Sequence, residues 1–408
     1  MSATNSARFI CVSALHTVPF ANLNRDDTNS VKTVQFGGVL RTRISSQCWK
    51  RPVRLDFEHR IGQTALRTRR IGERVARLLT DERGWSNDHA ARAGAHLAAA
   101  AGITFELGKE VIEDDKGSKT TKVVPNIVFH NSMVYAPDTT VSALADVAEE
   151  FRERIESAQD ITTSADTGVL APKKKQNGSP AEKIQGILRS TNGVINTFGR
   201  MLTEVDGAAV DGAVQVAHAM TTHATDVEID YFSAVDDVTA LWQDSTGSGH
   251  MGHAEFSTGT FYRYATIDLA QLAHNLKGDV AAVSQLAETF LHSFVKTMPE
   301  AKKNSTAPHT PPDLVHITVR ADRPLSLAAA FEKPVRAANE GGYAAASRDA
   351  LAKYAEAVNE FMGSDGILSS GWTGLGTKDL AGFGERNRSL DGLITSAARC
   401  AFGKQAAA

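Results

Sequence analysis

FSTGTFYRYATIDL, residues 256–269, has an alternating pattern over residues 261–268, which places Phe261, Arg263, Ala265 and Ile267 on one face and Tyr262, Tyr264, Thr266 and Asp268 on the other. A period of two residues is typical of a β-strand whose two faces meet different surroundings. Residues 313–320, DLVHITVR, alternate in the same way, and RFICVSALHTVPF at 8–20 has the apolar, β-forming composition of a buried strand. The sequence therefore predicts three strands of one sheet.

Helical patterns lie between and after these strands. The predicted helices cover 47–80, 86–108, 140–160, a segment started by Ser179-Pro180 and ending near Ser190, 268–298, 344–362 and 388–402. Residues 212–223 have β character, and residues 110–137 resemble a hairpin with a charged tip. The middle of the chain is mostly helical and is flanked by β-rich segments, which indicates an insertion. Strand, helix, strands, helix and strand is the order of a ferredoxin-like or RRM-like α+β sheet with large insertions.

Composition sets limits on the class of protein. The 408 residues carry 44 Lys and Arg against 47 Asp and Glu, a formal charge of −3, so only a local patch could attract nucleic acid. The three cysteines, Cys11, Cys48 and Cys400, are odd in number and far apart, which argues against a disulfide framework and favours a cytoplasmic location. Neither a transmembrane run nor a signal-peptide pattern is present, so no membrane association is expected.

Positive charge is concentrated in LNRDDTNSVKTVQFGGVLRTRISSQCWKRPVR, residues 23–54, which holds seven Lys or Arg against Asp26 and Asp27. In a helix, Gln47, Lys50, Arg51 and Arg54 share one face, directly after the hydroxyl groups of Ser45 and Ser46. Such donors beside a Gly-containing loop and a helix start suit a phosphate backbone, although a solvated basic helix face is the alternative. If Ser46 is the N-cap, Pro52 is expected to kink the helix or delay its start.

The remaining motifs do not indicate a catalytic centre. GSGHMG at 247–252 matches G-x-G-x-x-G but precedes an extended stretch rather than a helix, so a flexible turn is expected. His250 and His253 lack a second ligand pair for zinc. The acid pairs at 26–27 and 236–237 could hold Mg²⁺, yet such pairs are usually capping or solvated residues. No metal and no cofactor are predicted. Two further basic spots, at 173–175 and 302–303, are either soluble surface or contacts to nucleic acid.

Several long stretches together resemble the backbone subunit of the type I-E CRISPR surveillance complex (Cascade). They occur in matching order over residues 9–335: LNRDD…FGG…RTRISSQCWKR, FGRMLTEVDGAAVDGAVQVAHAMTTH, IDYFSAVDD, HMGHAEFSTGTFYRYATIDLAQL and RPLSLAAAFEKPV. The resemblance implies an RRM-like palm with a helical fingers insertion and a β-hairpin thumb. The implied borders are 1–80 for the first palm part, 81–195 fingers, 196–222 palm strand region, 223–259 thumb, 260–335 second palm part and 336–408 a C-terminal helical region.

The resemblance also implies a non-catalytic role in antiviral defence. Copies of the subunit assemble along the guide RNA with other Cascade subunits, the thumb flips out bases at intervals, and the exposed guide pairs with target DNA. A recruited helicase-nuclease, rather than the subunit itself, cuts that DNA. The alternatives are a metal-dependent ribonuclease subunit that uses Asp26 and Asp27, and a single-stranded RNA-binding protein that acts alone.

The predicted contacts combine residues that match family positions with the basic residues noted above. They fall into three groups. The RNA-binding group is Asn24, Arg25, Lys32, Arg43, Ser45, Ser46, Gln47, Lys50, Arg51, Arg54, Arg200, Met201, Lys302 and Lys303. The thumb wedge is Tyr231, Phe232 and Met251. By location only, the DNA-binding group is Lys173, Lys174, Lys175 and Lys183.

Overall fold

The computed structural model describes residues 6–113, 119–130, 133–163, 168–171, 178–235, 248–376 and 379–403. The chain divides into two compact units, one formed by Met1–Arg60 with Ala213–Ala408 and the other by Ile61–Gly212. The predicted borders after residues 80 and 195 differ from these divisions, so residues 61–80 and 196–212 belong to the second unit. The predicted mixture of helices and strands is confirmed.

The strands are, in chain order, β1 (Phe9–Ala21), β2 (Thr33–Phe36), β3 (Val39–Ile44), β4 (Ala65–Thr68), β5 (Phe105–Glu113), β6 (Lys119–His130), β7 (Val134–Pro137), β8 (Val214–Val216), β9 (Ala219–Thr221), β10 (Glu228–Val235), β11 (Ser248–Asp268), β12 (Leu314–Arg320), β13 (Ile367–Gly374) and β14 (Glu385–Arg386). The helices are α1 (Ser46–Ile61), α2 (Ile71–Arg83), α3 (Asn87–Ala101), α4 (Thr139–Glu150), α5 (Arg152–Glu156), α6 (Pro180–Arg189), α7 (Gly193–Phe198), α8 (Leu269–Asn275), α9 (Val280–Lys296), α10 (Lys303–Thr306), α11 (Ala344–Met362) and α12 (Leu390–Phe402).

The first unit is built on one large sheet, with the strand order β14-β13-β12-β1-β11-β9-β3-β2. Strand β1 lies between β11 and β12 and is antiparallel to both, with Leu15 opposite Tyr262 on one side and Leu314 on the other. Strands β8 and β9 both pair with β11. The only parallel pair among the described strands is β13 with β14, so the sheet is mixed. The three strands predicted from alternation and composition are confirmed.

Both faces of this sheet are buried, which explains the apolar content of its central strands. On one face Leu15, Tyr262 and Leu314 belong to a core that also contains Phe331 and Trp372. On the other face a smaller core joins β1 and β11 to Trp49 of α1. Burial of α1 along Trp49, Val53 and Phe57 ties this helix to the sheet.

Strand β11 is unusually long because it belongs to two structures. Residues 257–268 pair with β1, whereas residues 248–256 pair with β10 in an antiparallel hairpin. We call this hairpin, residues 228–235 and 248–256, the arm. The tip that would join its strands, residues 236–247, lies outside the described residues.

The second unit packs its helices around an apolar core that includes Val75, Leu97 and Leu144. Two small sheets, β4 with β7 and β5 with β6, complete it. The helix predicted over 86–108 ends at Ala101, because Gly102 adopts a left-handed conformation at φ 78° and terminates it. The tip of the predicted hairpin at 114–118 is not among the described residues.

The single helix predicted from 47 to 80 is wrong. Helix α1 ends at Ile61, where Gly62 has φ 65°, and β4 precedes α2. Strand β4 forms because its residues pair with β7, about 70 positions later in the chain. By contrast, Ser179 caps α6 as predicted, accepting a hydrogen bond from the backbone N–H of Glu182, and Ser190 ends the helix.

Candidate nucleic-acid interface

The start of α1 is fixed by Ser45 rather than by Ser46. The Ser45 hydroxyl accepts a hydrogen bond from the backbone N–H of Cys48 at 3.2 Å, and the N–H of Ser45 donates to Asn24 Oδ1 at 2.8 Å. The predicted Asn24 therefore shapes the loop by holding the capping residue.

Pro52 lies inside α1, and the helix runs from Ser46 to Ile61 around it. A proline at this position offers no N–H to the carbonyl of Cys48, so one backbone hydrogen bond is missing there. The buried side chains of Trp49, Val53 and Phe57 outweigh that loss by anchoring the helix on both sides of the proline. The expectation that Pro52 delays the helix start is therefore wrong.

The loop before α1 is organised by Asp26. Its Oδ1 accepts hydrogen bonds from the backbone N–H and hydroxyl of Thr28, at 2.9 and 2.8 Å, and from the N–H of Ser30 at 2.9 Å. The hydroxyl of Thr28 is the main cause that lowers the pKa of Asp26. Arg25 donates to Asn29 Oδ1 at 3.1 Å within the same turn. This carboxylate therefore has a structural task in the loop.

The loop is also tied to the arm through Glu255. Its carboxylate accepts a hydrogen bond from the N–H of Val31 at 3.0 Å, and its backbone carbonyl accepts one from Asn22 Nδ2 at 2.9 Å. The position of the basic loop thus depends on the base of the arm.

Lys32, Arg43 and Ser46 meet around His218, which sequence reasoning missed. The Nδ1 atom of His218 lies 3.0 Å from Nη1 of Arg43 and accepts a hydrogen bond from the N–H of Ser46 at 3.3 Å. Burial lowers the pKa of His218, and the charges of Arg43 and Lys32 lower it further. His218 is therefore a neutral acceptor that positions Arg43 beside the helix start.

A second group of cations lies across from α1, in the segment after α9. Lys303 pairs with Glu300 at 2.8 Å, and this hydrogen bond is the main cause that lowers the pKa of Glu300. The charge of Arg51 on α1 lowers the same pKa, which places Arg51 near this loop. Lys302 is exposed and has φ 58°, a left-handed conformation that is uncommon for a residue with a side chain.

Between α1 and residues 295–312 lies a groove of about 1090 Å³. Gln47, Arg51 and Lys303 line it, and three prolines of the opposite wall, Pro308, Pro311 and Pro312, make that wall stiff. The groove is thus an apolar cleft whose lining residues include cationic and amide groups and also the acids Asp56 and Glu300.

A buried arginine connects the parts that form this groove. Arg263 of β11 lies over the ring of Trp49 at 3.7 Å and near the ring of Phe294 at 4.7 Å. Its guanidinium donates to the carbonyls of Phe294 and Thr297, and to His16 Nδ1 at 3.2 Å. Burial lowers the pKa of Arg263 to about 9, so it remains charged at neutral pH.

The β2–β3 turn is held by a second buried arginine. Arg41 donates to the carbonyls of Thr221 at 3.0 Å and Phe331 at 2.8 Å. Gly37 and Gly38, at φ 61° and 77°, form the turn, and Gly37 lies against the carbonyl of Glu332. Only glycine satisfies both the left-handed backbone and the close approach at position 37.

Two predicted RNA-binding cations on α1 are less exposed than Arg51. Arg54 forms an ion pair with Glu58 and keeps 19% side-chain exposure, while Glu58 keeps 7%. Lys50 is half-buried. These side chains lie beside the exposed Gln47 and Arg51 in helical register.

Arg200 and Met201 belong to the second unit and differ in exposure to solvent: the first is buried and the second is exposed. The guanidinium of Arg200 donates to the carbonyls of Ala208, Ser190 and Arg189, and the residue is only 4% exposed. This burial gives Arg200 a structural role and argues against the predicted RNA contact. Met201 is 87% exposed, so its thioether is available to a partner.

The arm exposes apolar side chains on both of its faces. Tyr231 and Met251 are 76% and 67% exposed, and Phe232 is 45% exposed. Phe232 lies across Gly252 on the neighbouring strand, where an added Cβ would fall 2.5 Å from its ring. The predicted wedge residues are therefore surface groups of one hairpin.

The predicted DNA-binding lysines receive little support from their surroundings. Lys183 forms an ion pair with Glu150 at 2.6 Å and lies near the ring of Phe151. Lys173, Lys174 and Lys175 are outside the described residues.

The described part of the chain offers neither a metal site nor a membrane span. There, no group of three or more His, Cys, Asp or Glu side chains is placed to hold a metal ion. None of the helices described is long and apolar enough to cross a bilayer.

The fold and this surface define a mixed α/β protein with a cationic loop and helix start suited to a phosphate backbone. The chain belongs to the family of CT1975-like proteins, whose family model matches residues 10–396. None of the curated proteins matches the sequence.

Two solved structures extend this likeness over nearly the whole chain. A chain described as "CRISPR RNA-guided surveillance complex, pre-nicking" is 38% identical, with a TM-score of 0.84, over 97% of this chain and 100% of its own length. A second, "CRISPR RNA-guided surveillance complex", is 34% identical, with a TM-score of 0.69, over 96% of this chain and 99% of its own. The resemblance to a surveillance-complex backbone subunit that the sequence indicated is confirmed.

Proposed function

We propose that this chain is the guide-RNA-binding backbone subunit of a CRISPR surveillance complex, with no catalytic step of its own. The observation that carries the proposal is the arrangement of Lys32, Arg43, Arg51 and Lys303 around one helix start and groove. These cations are brought together by the contacts described above. The chain that carries them is 34% and 38% identical to chains of RNA-guided complexes. Phosphate contacts of this kind fix a strand in place without reading its sequence, which suits a subunit that must hold any guide.

The sheet supplies an RRM-like palm in this proposal. The central order β12-β1-β11-β8, in which neighbouring strands are antiparallel and α1 and α9 lie in the connections, supports this part of the proposal. The arm corresponds to the thumb and the second unit to the fingers. We infer that copies of the chain line up along the guide with other subunits of the complex.

In this assembly the arm separates bases of the guide. Tyr231, Phe232 and Met251 offer exposed apolar groups on both faces of a narrow hairpin, and such groups can insert between unstacked bases. The segments of guide between neighbouring arms are then free to pair with target DNA, which a separately recruited helicase-nuclease cuts.

The central experiment changes the charge of α1. We expect Lys50→Glu and Arg51→Glu each to weaken binding of guide RNA equally for all guide sequences, and to lower its salt dependence. Lys353→Glu, on an exposed position of α11, is the matched control. Electrophoretic mobility shifts at several salt concentrations measure both effects. Assembly and guide binding that survive both α1 variants would show that α1 is not the palm contact.

A cleavage assay separates this proposal from the ribonuclease alternative. The assembled protein, guide, complementary RNA and Mg²⁺ are expected to leave the RNA intact, because Asp26 Oδ1 is already engaged by three donors of its own loop. Regularly spaced cuts that disappear in Asp26→Ala would establish the alternative. Tight RNA binding by the isolated chain, unchanged by sister subunits, would favour the stand-alone RNA-binding protein.

A further inference from the structure

The arm joins the large sheet at a root formed by residues 221–227 and 257–260. His223, on the side that leads into β10, is 3% exposed. It lies against Gly259 of β11, where an added Cβ would fall 3.3 Å from Nε2 of the histidine and 2.5 Å from Cγ2 of Thr221. The His223 ring therefore contacts the strand that returns from the arm.

Hydrogen bonds fix the orientation of this ring. Nε2 of His223 accepts a hydrogen bond from the backbone N–H of Thr260 at 3.1 Å, so the ring proton is on Nδ1, which donates to the carbonyl of Ala224 at 2.8 Å. Burial is the main cause that lowers the pKa of His223, and the charge of Arg41 lowers it further, so the ring is neutral at neutral pH. One neutral tautomer thus joins the two sides of the root.

The C-terminal region covers this side of the root. The ring of Tyr343 stacks on that of His223, with centroids 3.5 Å apart and planes that differ by 8°. The hydroxyl of Thr222 lies 2.8 Å from that of Ser347 in the first turn of α11, and both residues are fully buried. The carbonyl of Thr222 also accepts a hydrogen bond from the N–H of Val335 at 3.0 Å. Three contacts from one short segment therefore converge on two consecutive residues of the root.

Tyr343 is itself held between a tight turn and a packed helix. Gly341 and Gly342 have φ 89° and 80°, and Ala338 accepts a hydrogen bond from the first at 2.8 Å and donates one to the second at 3.1 Å. Helix α11 follows directly and packs into the core of the first unit through Leu351. The position of the Tyr343 ring is therefore set by the fold around it.

A small rotation at the root is amplified along the arm. Met251 lies five residues before Phe256 on β11, a distance of about 17 Å along the strand. A rotation of about 10° at the root moves such a side chain by about 3 Å, close to the spacing of about 3.4 Å between successive phosphates of one strand. Insertion of the arm between chosen bases therefore needs a root that does not rotate.

We propose that Tyr343 is a positioning residue for the separation of guide bases, because its stack on His223 fixes the angle of the arm to the large sheet. This task of the C-terminal region rests on the role proposed above for the arm. None of Thr222, His223, Tyr343 and Ser347 belongs to the α1 surface. Loss of the stack therefore changes base separation and leaves the phosphate contacts in place.

The test assembles the full chain with its sister subunits on guide RNA that carries 2-aminopurine at one position at a time. The fluorescence of 2-aminopurine rises when the base is unstacked, so the rise identifies separated bases position by position. We expect Tyr343→Ala to lower this rise by about twofold or more, because the aromatic stack no longer holds the root. Guide affinity and its salt dependence are expected to stay unchanged. Tyr343→Phe keeps the stacked ring and is expected to retain the rise.

Two further variants make the result specific. Tyr354→Ala removes the same side chain about 16 Å further along α11, where it packs against the core, and is expected to leave the rise unchanged even if the melting temperature falls. Ser347→Ala removes the contact with Thr222 and, because alanine favours helices, leaves α11 intact. It is expected to lower the rise in the same direction as Tyr343→Ala.

A rise that persists at the wild-type level in both Tyr343→Ala and Ser347→Ala would overturn the positioning role alone, as would an equal loss in Tyr354→Ala. A wild-type complex without a rise at any position would overturn the proposed role of the arm, and the positioning role with it.

Discussion

The substitution Gly37→Ala tests how the β2–β3 turn holds the basic loop in place. An alanine there must adopt φ 61°, which costs about 1–2 kcal/mol for an L-residue. Its Cβ would also overlap the carbonyl group of Glu332, with the carbonyl carbon only 2.8 Å away. That carbonyl belongs to the segment fixed by Arg41, so it cannot move away easily. An overpacked contact of this kind costs about a further 1–3 kcal/mol.

Gly38→Ala is the matched control, because Gly38 has φ 77° and no atom within 4 Å of an added Cβ. Gly38→Ala has only the cost of the left-handed backbone, and the smaller entropy of the unfolded chain partly offsets that cost. We expect this control to lower the free energy of unfolding by about 1 kcal/mol. We expect Gly37→Ala to lower the free energy of unfolding by about 2–4 kcal/mol, measured by urea unfolding of the first unit. Equal effects of the two substitutions, within about 0.5 kcal/mol, would refute the assigned contact with Glu332.

Three further outcomes follow from particular contacts. Gly252→Ala is expected to displace the ring of Phe232 and to impair guide binding in the assembled complex while leaving the melting temperature nearly unchanged, and normal assembly would remove Phe232 from the proposed wedge. Burial lowers the pKa of His316 to about 3 in the folded chain, whereas in the unfolded chain this histidine has its ordinary pKa of about 6.5. As the pH falls below about 6.5, His316 therefore binds a proton in the unfolded chain and stays neutral in the folded chain. Stability should therefore fall between pH 6.5 and 5, by up to about 1.4 kcal/mol per pH unit for this residue, and His316→Gln should reduce that slope in urea titrations. Replacement of Lys173, Lys174 and Lys175 by Ala is expected to weaken recruitment of target DNA without changing guide affinity, and unchanged DNA binding would exclude these lysines.

Local patterns predict the parts of this fold that depend on neighbouring residues. Alternation over residues 256–269 identifies the long strand β11, and the Ser179-Pro180 pair identifies the start of α6, because side-chain spacing and capping act within a few positions. Strand β4 escaped prediction because its pairing with β7 bridges about 70 residues and only the folded chain brings them together. The effect of Pro52 was overestimated because tertiary burial of Trp49 and Phe57 stabilises the helix beyond its local preference.

The candidate site shows the same division between local and distant information. The loop hydroxyls and cations of residues 23–54 could be predicted, since they are close in sequence. His218, which positions Arg43 from 175 residues away, and Glu255, which holds the loop from 224 residues away, could not. Arg200 lies beside the exposed Met201, and the sequence gives no sign that its guanidinium donates to internal carbonyls.

Crosslinking of guide RNA to the assembled protein identifies the residues that contact the guide. Guide RNA that carries photoreactive 4-thiouridine at many positions is bound, irradiated and digested, and the crosslinked peptides are identified by mass spectrometry. We expect crosslinks in residues 23–54, in residues 296–310 and on the arm, with none on α11. Bound RNA that crosslinks only outside the first two segments and the arm would contradict this expectation.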